Sequence, residues 1–181
     1  MLKLYDSPYP SLRLKQEGFI KEIITSLKDS ADFIYNGIKN TNDGVAKVVK
    51  HFEKNKCSLI LVVLPTYSPS LITTPVLKST GIPVVIFNTA KIPVINNKFS
   101  ESDYMENHGM HGVQDLCNTL IRAKTPFNIV TGHYKDKNAL NQLKEYIKDL
   151  PDDMVLRSSR SYDKELDTDD IIIHNNEITF F

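Results

Sequence analysis

The run Ser58-Leu-Ile-Leu-Val-Val-Leu64 carries the longest apolar stretch of the chain and ends at Pro65. A strand of this composition would be apolar on both faces, which is typical of a parallel strand that helices cover on each side. Two shorter runs of similar character follow, Val84-Val-Ile-Phe87 and Phe127-Asn-Ile-Val-Thr131. We therefore predict that these three segments form the centre of a mostly parallel sheet.

Between these strands, apolar side chains recur every three or four residues, the period of an amphipathic helix. The helices predicted on this basis cover residues 11–28, 42–52, 70–78, 111–123 and 138–150. Pro75 is expected to break the third of them, and residues 32–36 are expected to form one more strand. The resulting order, αβαβαβαβα, predicts a doubly wound α/β domain with a mostly parallel sheet and helices on both faces.

The chain is expected to contain one folded domain and a tail. Residues 1–150 hold the alternating strands and helices, although residues 89–105 show no period and are predicted to form a long loop. Residues 151–181 begin as an irregular, charged segment and end in two short apolar runs around Asn175-Asn176, which indicate a possible β-ribbon. We therefore place the domain boundary near residue 150.

The overall charge and the cysteine content limit the classes of function. The 181 residues carry 22 Lys+Arg and 22 Asp+Glu, so no uniform field attracts nucleic acid or an anionic membrane surface. No apolar run approaches the ~20 residues of a membrane helix, and Lys3 and Asp6 stand where a signal peptide would need an apolar stretch. Cys57 and Cys117 are expected to be reduced core residues. These features predict a soluble, cytoplasmic protein without a nucleic-acid or membrane partner.

Polar side chains follow each of the three predicted central strands. In an open parallel sheet, ligands bind beyond the carboxyl ends of the strands. Residues 65–70, 88–89 and 132–134 should meet there, and they carry hydroxyl and imidazole groups that suit a neutral polyhydroxy ligand. The alternative is that a hydroxyl such as that of Ser68 or Ser70 only caps the next helix.

The densest group of polar residues is the motif Asn107-His-Gly-Met-His-Gly-Val-Gln-Asp115. Its two glycines permit a close backbone approach or a positive φ, and His108 and His111 can face the same way if a helix begins at His108. Asp115 lies four residues after His111, a spacing at which a carboxylate can orient an imidazole. The motif could contact a ligand or a subunit, or only fix the start of the helix.

Metal-binding and catalytic interpretations of this motif also remain open. A metal site would need a third ligand, for which only His133 is a plausible recruit. An unrelated α/β enzyme could instead use His111 and Asp115 as an acid–base pair. No GxGxxG follows a strand, and GxxxxGK[ST], GxSxG and HExxH do not occur, so nucleotide-binding, serine-hydrolase and zincin functions lack their motifs.

Further segments accompany the motif, in order, along residues 2–150. They are Leu2-Lys-Leu-Tyr-Asp6, Leu12-Arg13, Lys15-Gln-Glu17 with Phe19, Tyr67-Ser-Pro-Ser-Leu71, Leu116-Cys-Asn118 and Gly132-His133. Together with the 107–115 motif, these segments resemble the N-terminal domain of the L-arabinose/L-fucose isomerase family. The run Asn-His-Gly-x-His-Gly-Val-Gln-Asp is the specific part of this resemblance.

The resemblance implies a flavodoxin-like or Rossmann-like fold in a cytoplasmic aldose–ketose isomerase that uses Mn²⁺ and forms homo-oligomers, either trimers or hexamers. In such enzymes the N-terminal domain lends substrate contacts to the active site of a neighbouring subunit. His111 matches the histidine that contacts sugar across this interface, and Leu4-Tyr5 resembles a substrate-facing segment after the first strand. With the residues of the predicted sheet edge, the sugar-contacting set is Leu4, Tyr5, Tyr67, Ser68, Asn107, His108, His111 and His133, supported by Gln114 and Asp115.

The chain also departs from the family pattern. His108 stands where a glutamine is more usual in arabinose isomerases, and the catalytic glutamates and metal ligands of the family lie in later domains. We therefore predict no catalytic residue, metal ligand or cofactor in this chain alone, and a substrate-contacting and oligomerisation domain that is inactive by itself. The alternative is a stand-alone sugar-binding or assembly module without catalysis.

The first β-strand of the family is missing here or reduced to residues 1–5. That strand is central in the flavodoxin-like order, so its loss would leave a gap of about 10 Å between the second and third predicted strands. We expect either that residues 1–5 form a stub strand in the gap, or that the sheet closes up while the 171–181 ribbon covers an edge.

Overall fold

The computed structural model describes residues 3–149. Within this range the helices are α1 (Leu12–Leu27), α2 (Asn42–Lys54), α3 (Thr74–Ser79), α4 (Glu101–Asn107), α5 (Gly109–Arg122) and α6 (Lys137–Lys148). The strands are β1 (Ile60–Val63), β2 (Val84–Asn88) and β3 (Asn128–Thr131). Two short 3-10 turns lie at Lys3–Asp6 and Ser70–Ile72. The predicted 151–181 tail and its β-ribbon lie outside the described residues.

The three strands form one parallel sheet in the order β1-β2-β3. Val62 of β1 is opposite Ile86 of β2, which in turn is opposite Ile129 of β3. All three carboxyl ends therefore lie at the same edge of the sheet, as predicted for ligand binding in such a fold.

The central strand β2 separates two apolar cores. Val84 and Ile86 face a core that α2, α3 and α5 complete, whereas Val85 and Phe87 face a second core formed with α1 and α6. All four side chains are buried because helices cover both faces of the strand. This arrangement confirms the predicted doubly wound α/β fold.

Residues 32–36 do not form the predicted strand. Phe33 still packs against the core on the α1 side of the sheet. Further along the same segment, side chains of α1 satisfy the backbone: the Ile38 N–H donates to Glu17 Oε1 at 2.8 Å, and the Ile38 carbonyl accepts from Arg13 Nη1 at 2.9 Å. The strand prediction was wrong because alternating apolar residues indicate a buried face but do not supply a neighbouring strand.

The predicted loop at residues 89–105 contains most of α4. A capping box starts this helix: Ser100 Oγ accepts from the Asp103 N–H at 3.2 Å, and Asp103 Oδ2 accepts from the Ser100 N–H at 2.8 Å. These two bonds satisfy donors that a helix N-terminus otherwise leaves unpaired. Because α4 is short, its apolar period was too brief to detect in the sequence.

Pro75 does not break α3, as we had predicted, but lies in its first turn. A proline is tolerated there because the backbone N–H that it lacks would have no partner inside the helix. The helix predicted at residues 111–123 begins two residues earlier, at Gly109.

The expected stub strand at residues 1–5 is not formed by the part of this segment that is described, since Lys3–Asp6 is a 3-10 turn. Strand β1 is hydrogen-bonded to β2, and β2 to β3, so the expected gap does not open among these three strands. Among the described residues, no helix is long and apolar enough to cross a membrane.

Candidate functional site

The 107–115 motif lies at the junction of α4 and α5, against the chain that leaves β1. Gly109 is buried there, and a Cβ added to it would lie 1.9 Å from the Leu64 carbonyl oxygen. A Cβ at Gly112 would lie 3.1 Å from the Ser68 backbone nitrogen. The two glycines therefore serve a close approach between α5 and the segment after β1, and not a positive φ.

Asn107 fixes the loop that follows β2. Its Oδ1 accepts from the backbone N–H groups of Lys91 and Ile92, each at 3.0 Å, and its Nδ2 donates to the Ile92 carbonyl at 2.9 Å. The side-chain amide thus holds 91–92 against the start of the motif. The predicted sugar contact of this residue stays a prediction, but the positioning function is visible in the geometry.

His108 lies in an aromatic cluster at this junction. Its Nδ1 is 3.4 Å from the Tyr5 hydroxyl and its Nε2 is 3.2 Å from the Tyr104 hydroxyl. The Tyr67 ring is tilted against the imidazole at a centroid distance of 5.7 Å. We refer to Tyr5, Tyr67, Tyr104, His108 and His111 as the aromatic cluster.

Burial lowers the pKa of His108, and the neighbouring His111 lowers it further, so the ring favours the neutral form. Burial also raises the pKa of the Tyr5 hydroxyl, with additional contributions from Tyr104 and Tyr67. A neutral imidazole between two neutral hydroxyls can donate to one of them and accept from the other. His108 therefore adds hydrogen-bonding capacity to the cluster while it favours its uncharged form.

His111 is exposed, as is Tyr104, whereas the other members of the cluster are half-buried. The His111 ring meets the His108 ring edge-on, at a centroid distance of 4.6 Å and an interplanar angle of 71°. Within residues 3–149, no hydrogen bond engages either of its ring nitrogens. Both nitrogens are therefore open to a ligand.

Asp115 does not orient His111, as the four-residue spacing had suggested. Its Oδ2 instead accepts from the backbone N–H of Ser70 at 2.9 Å, and in the described part of the chain no hydrogen bond joins it to an imidazole. The proposed acid–base pair is therefore not assembled. Gln114, the other predicted supporting residue, is exposed on α5.

The hydroxyl groups after β1 mostly turn inward. Thr66 is fully buried and its Oγ1 donates to the Met105 carbonyl at 2.9 Å, while Ser68 and Ser70 are also buried. Neither serine side chain caps the short helices that follow, which contradicts that alternative as well. These three hydroxyl-bearing side chains are therefore largely withdrawn from solvent, and the predicted sugar contact of Ser68 stays a prediction. Leu4, another member of the predicted sugar-contacting set, has in contrast a side chain that is 76% exposed.

His133, which follows β3, does not join the aromatic cluster. Its Nδ1 accepts from the Lys135 N–H at 3.3 Å, and its Nε2 lies 3.3 Å from the Lys91 carbonyl oxygen. Both contacts are satisfied by the tautomer that carries hydrogen on Nε2. His133, which follows β3, and Asn107, at the end of α4, therefore both contact the backbone of the loop residue Lys91.

A buried ionic group, which the sequence pattern did not indicate, lies beside the motif. Glu106 is buried, and its carboxylate accepts from Lys15 at 2.5 Å and from Lys91 at 3.3 Å. Burial alone would raise the pKa of Glu106, but the two ammonium groups outweigh it, and the pKa lies below its usual value. The fully buried Gln16 donates from Nε2 to the Glu106 carbonyl at 3.0 Å. This group ties α1 and the loop after β2 to α4.

Tyr104 was also missed, although it lies four residues before His108 and helical spacing could have suggested the contact. The predicted loop at 89–105 concealed this spacing. Glu106 gave no such signal, because its partners Lys15 and Lys91 are distant in the sequence.

The described residues do not suit the Mn²⁺ that the resemblance implies. Among residues 3–149, no three His, Cys, Asp or Glu side chains lie close enough to hold a metal ion. His108 contacts two tyrosines and His133 contacts backbone groups, so neither is oriented with a carboxylate toward a common point. We derive no chemical step through a metal here.

The fold and the motif together define a class. The chain is a doubly wound α/β domain with a His/Tyr cluster at the carboxyl edge of its sheet, which is the edge where domains of this architecture bind their ligands. The family model described as L-arabinose isomerase N-terminal domain matches residues 12–151, and the chain belongs to this family. No curated protein matches the chain.

Proposed function

We propose that this chain is the substrate-contacting and oligomerisation domain of a cytoplasmic aldose–ketose isomerase acting on L-arabinose or L-fucose. The metal, Mn²⁺, and the catalytic groups come from other polypeptide. The chain is inactive alone. The observation that carries the proposal is the exposed His111 imidazole, held beside His108 in the aromatic cluster.

The chemistry of this cluster suits a sugar. Hydroxyl groups of a neutral sugar need donors and acceptors of moderate strength, which an imidazole and tyrosine hydroxyls supply. The rings of Tyr67 and Tyr104 both lie against His108, at centroid distances of 5.7 and 4.7 Å. Flat aromatic faces accommodate the apolar C–H groups of a sugar, so the cluster can contact both kinds of group.

The surface around the cluster favours assembly. Met110, on α5 beside His111, and Leu71, in the 3-10 turn against α5, are large apolar side chains with exposed fractions of 49% and 76%. Apolar residues near a binding site on the surface are typical of a contact with another chain. This supports a site that is completed across an interface.

The proposal is tested by titrating the full chain with L-arabinose and L-fucose while recording NMR signals of its histidine and tyrosine rings. We expect saturable shifts at His108 and His111. Loss of one hydrogen bond of about 0.5–1.5 kcal/mol should weaken binding roughly threefold to tenfold in His111→Ala. His51→Ala, which removes another exposed imidazole on α2, is the matched control and should leave binding unchanged.

Two outcomes would contradict the proposal. Flat titrations with both sugars would exclude a sugar contact, and also the alternative of a stand-alone sugar-binding module. Isomerisation of either sugar by the purified chain with added Mn²⁺ would show that it holds a complete active site. Tight binding without any enzyme partner would favour the stand-alone binding module.

A further inference from the structure

Helix α2 presents a line of basic side chains to solvent, three lysines and one histidine. Lys47, Lys50, His51 and Lys54 are all exposed and lie at positions i, i+3, i+4 and i+7. This spacing places them along one helix face. We call these four residues the basic stripe. The opposite face, which includes Val49, packs into the core, so the helix is fixed with the stripe outward.

The basic stripe has no ionic partner in the part of the chain that is described. The ion pairs found in residues 3–149 involve Arg13, Lys15 and Lys91 only. Of the two carboxylates on α2 itself, Glu53 accepts a hydrogen bond from the Thr80 hydroxyl at 2.9 Å, and Asp43 lies in the first turn. Like charges at these spacings repel one another and destabilise the helix, so a negative segment bound along the stripe would stabilise it.

The complementary charge occurs in the same chain. The whole protein has a formal net charge of +0, yet residues 163–170, Asp-Lys-Glu-Leu-Asp-Thr-Asp-Asp, carry five carboxylates against one lysine. Such a concentration of one sign balances an excess of the other sign elsewhere. We call residues 163–170 the acidic segment.

The length of chain permits the two to meet. Thirteen residues, 150–162, separate Asp149 from the acidic segment, and these 14 Cα–Cα steps reach roughly 45–50 Å in extended form. Because α6 packs on one face of the sheet and α2 on the other, the chain has to pass around the domain. Its reach exceeds the diameter of about 40 Å that is typical of a domain of this size. A tether of this length gives an effective concentration in the millimolar range, so even weak contacts between exposed charges can add up to docking.

We propose that the acidic segment of this chain docks on its own basic stripe. Its carboxylates pair with the ammonium groups of Lys47, Lys50 and Lys54. Exposed ion pairs are individually weak and are screened by salt, so the docking should be reversible and sensitive to ionic strength.

The test records backbone amide NMR shifts of α2 in the full, isotopically labelled chain. Neutralising the acidic segment should shift the α2 amides to the positions that the unmodified chain shows at about 0.5 M salt, where the Debye length is only ~4 Å. The substitutions are Asp163→Asn, Glu165→Gln, Asp167→Asn, Asp169→Asn and Asp170→Asn. The matched control neutralises other carboxylates beyond residue 149, with Asp152→Asn, Asp153→Asn and Glu177→Gln, and should leave α2 unchanged.

A reciprocal variant tests whether the basic stripe affects the signals of the acidic segment. Replacing Lys47, Lys50 and Lys54 with glutamine should move the amide signals of the acidic segment, whereas Lys21→Gln with Lys28→Gln, on the exposed face of α1, should not. The proposal is wrong if the amide chemical shifts of α2 do not change when the acidic segment is neutralised. It is also wrong if the effect fades on tenfold dilution, because the segment would then come from a second copy.

Discussion

At the scale of single residues, the candidate site depends on a glycine, Gly109, at a position where no side chain would fit. Gly109 brings α5 so near the end of β1 that a Cβ would overlap the Leu64 carbonyl oxygen at 1.9 Å. A backbone oxygen cannot move away cheaply, since the strand that precedes it is paired with β2. The position of His108 and His111 therefore depends on this contact.

We expect Gly109→Ala to lower the free energy of unfolding by about 1–3 kcal/mol, the usual cost of overpacking a buried position. Gly18→Ala is the matched control, because nothing lies within 4 Å of a Cβ at that helical position. That control should stabilise the protein by roughly 0.5–1 kcal/mol through helix propensity. Urea denaturation measures both, and equal stabilities for the two variants would refute the close contact.

Glu106 makes stability depend on pH. Lys15 and Lys91 hold its pKa below the usual 4.5 in spite of burial, so ionised Glu106 stabilises the fold above its unfolded pKa. This contribution is lost as the pH falls from about 4.5 through the lower folded pKa. Glu106→Gln should cost about 1–3 kcal/mol at pH 7 and should flatten the decline of stability below pH 4.5.

Denaturation by urea between pH 7 and pH 3 tests this expectation. Glu145→Gln, on the exposed side of α6, is the comparison and should change stability by no more than ~0.5 kcal/mol at pH 7. If Glu106→Gln followed the same pH profile as the unmodified chain, the two lysines would not be stabilising the carboxylate.

At the scale of elements, α4 carries several of the contacts that position the aromatic cluster. It is only seven residues long, and so short a helix gains little from intrinsic propensity. The capping box of Ser100 and Asp103 starts it, while Tyr104 and Glu106 connect it to His108 and α1. Loss of the cap should therefore weaken the cluster as well as the helix.

Ser100→Ala is expected to lower the free energy of unfolding by ~1 kcal/mol, because the Asp103 N–H loses its acceptor. Ser26→Ala removes a hydroxyl that bonds back to Glu22 inside α1, and should change stability by less than about 0.5 kcal/mol. Thermal unfolding measures both variants. Aromatic NMR signals of Tyr104 and His108 should move in Ser100→Ala only, and their constancy would argue against the coupling.

At the scale of the whole molecule, one strand supports both layers of helices. Ile86 and Phe87 are adjacent in β2, both are fully buried, and they face opposite cores. Neither core can be formed without the strand that the other core also uses. The sheet and its six described helices should therefore unfold as one unit.

Ile86→Ala and Phe87→Ala should each cost about 3–5 kcal/mol, the usual range for such truncations in a core. Each variant should still unfold in a single transition, with the same midpoint by far-UV circular dichroism and by tyrosine fluorescence. Leu71→Ala, which is 76% exposed, is the control and should be nearly neutral. Separate transitions for the two layers would contradict a shared core.

The local pattern of the chain was enough to identify the three central strands, most of the helices, the two-sided burial of the sheet and the family motif. These features follow from the polarity of neighbouring residues, whose period of two or 3.6 depends only on nearby positions. A close backbone approach was one of the two roles predicted for the motif glycines, although their partner in the segment after β1 could not be named.

Only the tertiary structure determined which polar groups are paired with each other. Ser70 and Asp115 are 45 positions apart and Tyr5 and His108 are 103 apart, so neither partner could be inferred from spacing. The same holds for residues 32–36, which have a strand-like pattern but no neighbouring strand, and for Thr66, whose hydroxyl turned inward. A hydrogen bond needs its two atoms within about 3 Å, and for distant segments only the packed fold brings them together.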